Sequence, residues 1–370
     1  MRIIHLIQRP QLRGAETFAS QIGAVHHRGG HEVLFVALFE HRGGLELSLD
    51  GPRLQKMSFN ERRRFFDPGA WSQLARTIRA FAPDIVQANA GDTLKYAVLS
   101  RILHGWPGHL VFRNANNISS FVRNPVQKYY LGQLLNRVDS VVSVSENCRQ
   151  DLLTLFPALR PPTTTITIGT PVDVKARRDR AAVLAEFDFS PTLPVLVNVG
   201  SFVPEKNHLG LLRIFAALCR DGHAAQLLLI GDGRLRPRLE ALRHSLGLEQ
   251  VVHLAGYRTD VGELLFHTDL MVMPSLVEGM PGVILEAMAR GVSVVAADVG
   301  GIAEILHYGR TGYVVDPRDE AAFARTVGEL LEDPARRQRI AEQALALVRE
   351  QKAIGTIAAD FLHYYQAIKQ

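Results

Sequence analysis

Two carboxylates, Glu278 and Glu286, flank the segment Met280-Pro281-Gly282-Val283-Ile284. The apolar run Asp269 to Met273 before them reads as a buried parallel strand. Pro281 suits a first helical position, and Gly291 a C-cap, so a helix is expected between them. Glu278 then lies in the loop and Glu286 about one and a half turns into the helix. The N–H groups of Gly282, Val283 and Ile284 would point out of the helix start, where an anion binds readily. Gly279 and Gly282 let a ligand approach the backbone closely. A phosphate seat beside two acceptors for neutral hydroxyls describes a site for a nucleotide-sugar. Surface glutamates explain most such pairs, but this loop leaves the carboxyl end of a parallel strand, where open α/β sheets bind ligands.

Other loops offer related chemistry. Gly200 and Ser201 follow an apolar strand at 194–199, and Lys206 stands just before the next helix, where it can reach a diphosphate as a point charge. A solvated surface lysine is the plain alternative. Gly14-Ala15-Glu16 opens the first helix and could bring its backbone to a phosphate or sugar, or could be an ordinary βα turn. Ile230-Gly231-Asp232-Gly233 reads as a tight βα turn. Gly256-Tyr257-Arg258 follows another strand, where a flat nucleobase could lie against backbone and guanidinium. His5, His26, His27 and His31 show no ligand spacing and read as structural or surface residues. With no Cys/His cluster and no pair of carboxylates placed as metal ligands beside the phosphate seat, neither a metal nor a bound cofactor is expected.

The elements that must position these residues follow from pattern and length. A chain of 370 residues is too long for one ordinary core, and 47% hydrophobic with 21% charged residues is globular composition. Strand and helix patterns alternate throughout, the mark of βαβ units and parallel sheets. The expected fold is α/β, two doubly wound Rossmann-like domains facing across a cleft. The pattern breaks at Ile168-Gly169-Thr170-Pro171, and the basic segment Lys175 to Arg180 reads as a hinge or linker. This places an N-terminal domain at 1–170, a C-terminal domain at 171–351, and a last amphipathic segment, 352–370, with Phe361, Tyr364 and Tyr365. The stretch from 39 to 64 reads as less regular, with no element assigned in it.

Cys148 and Cys219 fall on separate expected helices and read as small core residues, which fits a reducing cytosol. Met1 leads straight into a strand, with neither signal-peptide architecture nor an apolar run of spanning length. A cytoplasmic enzyme is expected, with peripheral contact at the inner face of a membrane as a further option. Residues 1–170 carry 20 Lys+Arg against 12 Asp+Glu, whereas residues 171–370 carry 22 against 25. That basic half could meet an anionic membrane or substrate, or could simply be solvated. Arg62-Arg63-Arg64 with Phe65-Phe66 reads as a membrane-surface patch or as a loop whose phenylalanines tuck inward. No aromatic-interleaved basic segment points to nucleic acid.

Together these residues resemble the glycosyltransferases of the GT-B fold, and within them the large retaining family 4 (group 1). The resemblance covers nearly the whole chain and is strongest over 195–316. It rests on the E-x7-E motif from Glu278 to Glu286, on G-S-F-V-P-E-K-N, on I-G-D-G, and on A-A-D-V-G-G-I-A-E-I-L-H-Y-G-R-T-G-Y-V-V-D-P, in the family's order. It implies that Glu278 contacts the donor sugar and Glu286 the nucleotide ribose. Lys206 would bind the diphosphate, and the Gly14 loop would close over donor and acceptor. The last helix would return to the N-terminal domain, which usually binds the acceptor. Ser201-Phe202 stand where the family often has an arginine. Gln87-Ala88-Asn89 replace a common His-x-His, and Arg113-Asn114 stand where many members carry a histidine near the sugar. The resemblance moves that sugar contact to Asn114.

The expected activity is transfer of a hexose from a UDP-sugar, or next a GDP-sugar, to an acceptor hydroxyl. Configuration would be retained without a metal, in polysaccharide, glycolipid or other glycoconjugate synthesis, on an acceptor that could be lipid-linked. Glu278, Lys206 and Asn114 form the expected catalytic set. Two rivals share the architecture, a sugar-nucleotide epimerase or phosphorylase and a non-catalytic sugar-binding protein. No lysine context argues for the pyridoxal cofactor of such phosphorylases.

Overall fold

The computed structural model describes residues 1–41, 46–63 and 66–369. It divides into two compact units, Met1–Gly169 with Ile354–Gln370, and Thr170–Ala353. In the first unit the strands are β1 (Arg2–Ile7), β2 (Glu32–Ala37), β3 (Arg53–Lys56), β4 (Ile85–Ala88), β5 (His109–Asn114), β6 (Ser140–Ser143) and β7 (Thr163–Thr165). They form one parallel sheet in the order β3-β2-β1-β4-β5-β6-β7. The crossovers are α1 (Gly14–Arg28), α2 (Pro68–Phe81), α3 (Gly91–His104), α4 (Pro125–Leu135) and α5 (Glu146–Leu155). Short polar caps start several of them. Asp67 accepts from the Ala70 N–H, Asn124 from Gln127 and Ser145 from Cys148, with proline next in α2 and α4. Helices cover both faces, so the central strands read as continuous apolar runs.

The second unit opens with α6 (Arg180–Ala185) and carries β8 (Val195–Val199), α7 (His208–Arg220), β9 (Gln226–Ile230), α8 (Arg236–Ser245) and β10 (Val252–Gly256). It continues through α9 (Val261–Leu265), β11 (Leu270–Met273), α10 (Gly282–Met288), β12 (Ser293–Ala297), β13 (Tyr313–Val315), α11 (Glu320–Glu332) and α12 (Pro334–Gln351). Its parallel sheet has the order β10-β9-β8-β11-β12-β13. Strand order therefore reverses between β8 and β11, which are paired neighbours. Open α/β sheets take ligands at such a switch point.

The final helix, α13 (Ile354–Lys369), packs in the first unit against α1. Its interface is aromatic and polar together. Phe361 meets Phe18 at 5.9 Å, and the Tyr365 hydroxyl donates to Gln87 Oε1 at 2.5 Å. The His26 ring nitrogen pairs with the Ala358 carbonyl at 2.8 Å. His5 is fully buried beside Gln87, and burial, with the His26 and Arg113 charges, lowers its pKa to about 3. Burial also lowers His26. Each imidazole binds its proton more weakly folded than unfolded, so the unfolded chain holds more protons below the ordinary value of 6.5. Their contribution is complete above that value and is lost as pH falls toward 3 for His5. The buried Glu16, whose carboxyl is raised by burial, works in the opposite direction at the acid end. The melting midpoint should therefore drop between about pH 7 and pH 5. A His5→Leu/His26→Leu chain should show a shallower slope, and identical slopes would remove these rings as the cause.

Two elements depart from the sequence reading. β3 lies inside the stretch expected to be irregular. It is an exposed edge strand, R-L-Q-K, and lacks the apolar alternation that would have marked it. The segment read as a linker is docked. The Arg177 and Arg178 N–H groups donate to Glu263 at 2.9 Å, and Arg180, which opens α6, bridges to Asp269 at 2.7 Å. Backbone N–H groups and the Arg180 guanidinium thus attach the segment within the second unit. Of the segment 62–66, Arg64 and Phe65 lie outside the described residues. Phe66 is 73% exposed, with its ring edge toward Trp71 at 5.6 Å.

Candidate active site

Lys206 and Glu278 come from different βα loops, one after β8 and one after β11, the two strands of the switch point. They meet there. Lys206 Nζ donates to Glu278 Oε1 at 2.5 Å, and the glutamate is only 7% exposed. The lysine stem lies over Gly200, where an added Cβ would sit 3.6 Å from Lys206 Cγ and Cδ. The glutamate loop is fastened along its length. Leu276 N–H donates to the Glu205 carbonyl at 2.8 Å, and Gly301 N–H to the Gly279 carbonyl at 2.6 Å. Asn207, at a left-handed φ of 51°, caps α7 and also donates its amide to the Pro274 carbonyl at 3.1 Å.

The neighbouring loops are laced backbone to backbone. Gly200 N–H bonds the Ile230 carbonyl, Phe202 N–H the Asp232 carbonyl and Gly231 N–H the Gly256 carbonyl, each at 2.9 Å. At Gly231, with φ +138°, a Cβ would fall 2.0 Å from the Gly200 oxygen. Ser201 is carried in the same lacing, half-buried beside the lysine stem's Gly200.

The helix behind the proposed phosphate seat is shorter than expected. Pro281 is its N-cap with extended backbone, the helix runs from Gly282 to Met288, and Gly291 forms the turn beyond it at φ +72°. Ile284 N–H donates to the Pro281 carbonyl at 3.1 Å, so the first outward donors are Gly282 and Val283 alone. Glu286 is half-buried on this helix, and no donor among the described residues reaches its carboxylate. Burial raises its pKa and the nearby Arg290 partly counters this. Arg290 is itself tied to the carbonyls of Gly262 at 2.7 Å and Glu286 at 2.8 Å. An unpaired, half-buried carboxylate of this kind is ready to accept hydroxyl hydrogen bonds.

Two expected site residues are otherwise engaged. Arg258 donates to Asp260 at 2.7 and 2.5 Å and to Glu186 at 2.9 Å, and stands over the Phe187 ring. Its guanidinium is committed to Asp260, just before α9, and to Glu186, just past α6. Asn114 is buried in the first unit, donating to Ser143 Oγ at 3.3 Å and the Cys148 carbonyl at 3.1 Å. It braces α5 against β5, a structural duty that a strand-end amide does not reveal in sequence. Gly14 and Ala15 open α1 in the same unit, with no side-chain cap and open space around Gly14.

Sequence reasoning passed over His208, the residue after Lys206-Asn207. Its ring is buried edge-on against Phe202, centroids 4.8 Å apart, with neither nitrogen hydrogen-bonded. Burial and the Lys206 charge hold its pKa at about 4, so the group beneath the lysine is neutral. Its position at a helix start beside the lysine was the available signal. Among the described residues, no three His, Cys, Asp or Glu side chains converge as metal ligands, and no helix is long and apolar enough to cross a membrane.

Paired doubly wound units of this kind define the GT-B fold. Anabaena HepE in complex with UDP-glucose shares it, with a TM-score of 0.84 at 20% identity over 99% of this chain and 100% of that one. The sequence adds kinship to shape. Residues 179–346 match the family model for Glycosyl transferases group 1, and residues 12–175 that for Glycosyltransferase Family 4. The GDP-mannose-dependent alpha-(1-6)-phosphatidylinositol monomannoside mannosyltransferase of Mycobacterium tuberculosis is 30% identical over 285 residues, 72% of this chain and 71% of that protein. Alpha-D-kanosaminyltransferase of Streptomyces kanamyceticus is 32% identical over 198 residues, 53% of this chain and 50% of that protein. The chain thus belongs to the group 1 glycosyltransferases, family 4. It spans about half the length of several curated relatives it matches, the kanosaminyltransferase among them.

Proposed function

We propose that this chain transfers a hexose from a nucleoside-diphosphate sugar to an acceptor hydroxyl, with retention and without a metal ion. The observation that carries this reading is the Lys206–Glu278 pair at the switch point of the second sheet. Such a site offers a cation for a diphosphate and a carboxylate for sugar hydroxyls. Glu286 would take the ribose, and Gly282 and Val283 would donate to phosphate oxygens. UDP is the first choice of nucleotide and GDP the second. Solved HepE holds UDP-glucose, whereas the mycobacterial relative is GDP-mannose-dependent.

In the reaction the acceptor oxygen attacks the anomeric carbon from the face that the diphosphate leaves. The carbon–oxygen bond to the β-phosphate breaks, its electron pair goes to the phosphate, and the acceptor proton passes to a phosphate oxygen. Lys206 stabilises the charge that grows on the diphosphate. Arrival of the donor therefore draws the lysine away from Glu278, or bridges both. The acceptor belongs to the first unit and the location to the cytoplasm, with glycolipid or polysaccharide synthesis as the setting.

Mixing protein, donor and acceptor should release free nucleoside diphosphate. Conversion of donor without acceptor would indicate an epimerase, and no release a binding protein. Glu286→Gln should weaken nucleotide-sugar binding about tenfold or more, since a charge-assisted hydrogen bond is worth roughly 1.5–3 kcal/mol. Unchanged affinity in calorimetry would remove Glu286 from the site.

A further inference from the structure

The first half of α4 stands in solvent while carrying apolar side chains. Every residue from Phe121 to Tyr130 is exposed except the half-buried Val122; Val126 is 77% and Tyr129 70% exposed. Val126, Tyr129 and Tyr130 fall at i, i+3 and i+4, on one helical face, and Phe121 precedes them. The helix needs no packing there, because Asn124 caps it and Pro125 opens it, while Leu134 and Leu135 anchor its far end in the core. An aromatic face held out by a well-capped helix is a surface awaiting a partner.

Charge identifies that partner. From residue 93 to 138 the chain has six Lys and Arg and no Asp or Glu. Lys95 and Arg101 pair with Asp92 and Asp139 just outside that run and Arg113 is buried, which leaves Arg123, Lys128 and Arg137 as the exposed charges. Arg123 and Lys128 are exposed beside the apolar face and make no ion pair among the described residues. On the neighbouring α5, Asp151 is taken by the backbone N–H and hydroxyl of Ser119. We propose that this face docks the first unit on an anionic lipid bilayer, with Val126 and Phe121 entering the headgroup boundary and Tyr129 and Tyr130 lying at headgroup level. A second copy fits less well, since a twofold contact would bring Arg123 and Lys128 toward their own equivalents. The placement suits the transferase reading, on which it rests only for purpose. α4 opens at the carboxyl edge of its sheet, the same edge at which α1 opens at Gly14 and α3 at Gly91. An acceptor held in the bilayer would emerge at that edge.

Vesicles of phosphatidylcholine with and without phosphatidylglycerol test this by co-sedimentation, with no donor or acceptor present. A failure of the transferase reading therefore leaves the result intact. The wild-type chain should pellet with anionic vesicles at low salt and be released at high salt. Arg123→Ser/Lys128→Ser should weaken partition by about fivefold per charge removed. Val126→Asp/Tyr129→Asp should abolish it while leaving the melting midpoint unchanged, because neither side chain is packed. Equal recovery with neutral vesicles, recovery with neither, or undiminished binding of the Val126→Asp/Tyr129→Asp chain would overturn the proposal. So would loss of binding confined to Arg62→Ser/Arg63→Ser, or a wild-type mass in light scattering that halves in the Val126→Asp/Tyr129→Asp chain.

Discussion

Lys206→Ala should lower turnover by about a hundredfold or more, the loss seen when preorganised charge stabilisation is removed from a leaving group. That corresponds to roughly 2.7 kcal/mol of transition-state stabilisation. The structure adds a complication the variant must face. Glu278 is only 7% exposed and its partner is Lys206, so truncating the lysine strands a carboxylate in a poorly solvated place. Some loss of stability will accompany the loss of rate. The double variant Lys206→Ala/Glu278→Gln removes the stranded charge. Its turnover is read against Glu278→Gln alone, so that the loss due to the lysine is counted apart from the loss due to the glutamate. Its melting midpoint should recover relative to Lys206→Ala while its turnover stays below that of Glu278→Gln. If its turnover equalled that of Glu278→Gln, or if well-folded Lys206→Ala kept full activity, the lysine would be an ion-pair partner of Glu278 and nothing more.

The sequence carried this pair's location through strand order rather than through either residue. Runs such as Val195–Val199 and Leu270–Met273 are apolar because both faces of the sheet are covered, and the loops that follow them bear the glycines and charges. Parallel topology then brings those loops together at one edge. Residue-level contacts were less legible. Arg258 looks available in sequence, but Asp260 two residues on and the distant Glu186 both claim it. Asn114 looks like a polar substitute for an imidazole, yet its amide nitrogen donates to Ser143 and the Cys148 carbonyl. Glu186, Ser143 and Cys148 stand far along the chain from the residues they engage, and partners that distant leave no local pattern.

Helix termini show a different limit. Pro281 fits both the N-cap and the first helical position, since both lack an intrahelical use for its N–H. The structure takes the cap, and the three-residue bond from Ile284 to Pro281 then removes one expected phosphate donor. β3 escaped notice for the opposite reason. An exposed edge strand has no buried face, and without one there is no period to read.

The glycines give the sharpest remaining test. Gly300 has φ +59°, and a Cβ there would fall 2.2 Å from the Glu278 carbonyl oxygen and 2.8 Å from that of Gly279. Both are backbone atoms in the loop that presents Glu278, and the adjacent Gly301 N–H holds the Gly279 carbonyl at 2.6 Å. Gly300→Ala must therefore push the glutamate loop outward. Gly247 has nearly the same conformation, φ +66°, with nothing within 4 Å of an added Cβ. Gly247→Ala pays only the left-handed penalty, about 1–2 kcal/mol. Gly300→Ala pays this and an overpacking cost of about 1–3 kcal/mol as well. The melting midpoint should fall further for Gly300→Ala than for Gly247→Ala, and nucleotide-sugar binding should be lost in the first and kept in the second. Equal midpoints would show that the glutamate loop yields freely. Intact binding in Gly300→Ala would separate the position of Glu278 from recognition of the donor, and the candidate site would then have to be sought without it.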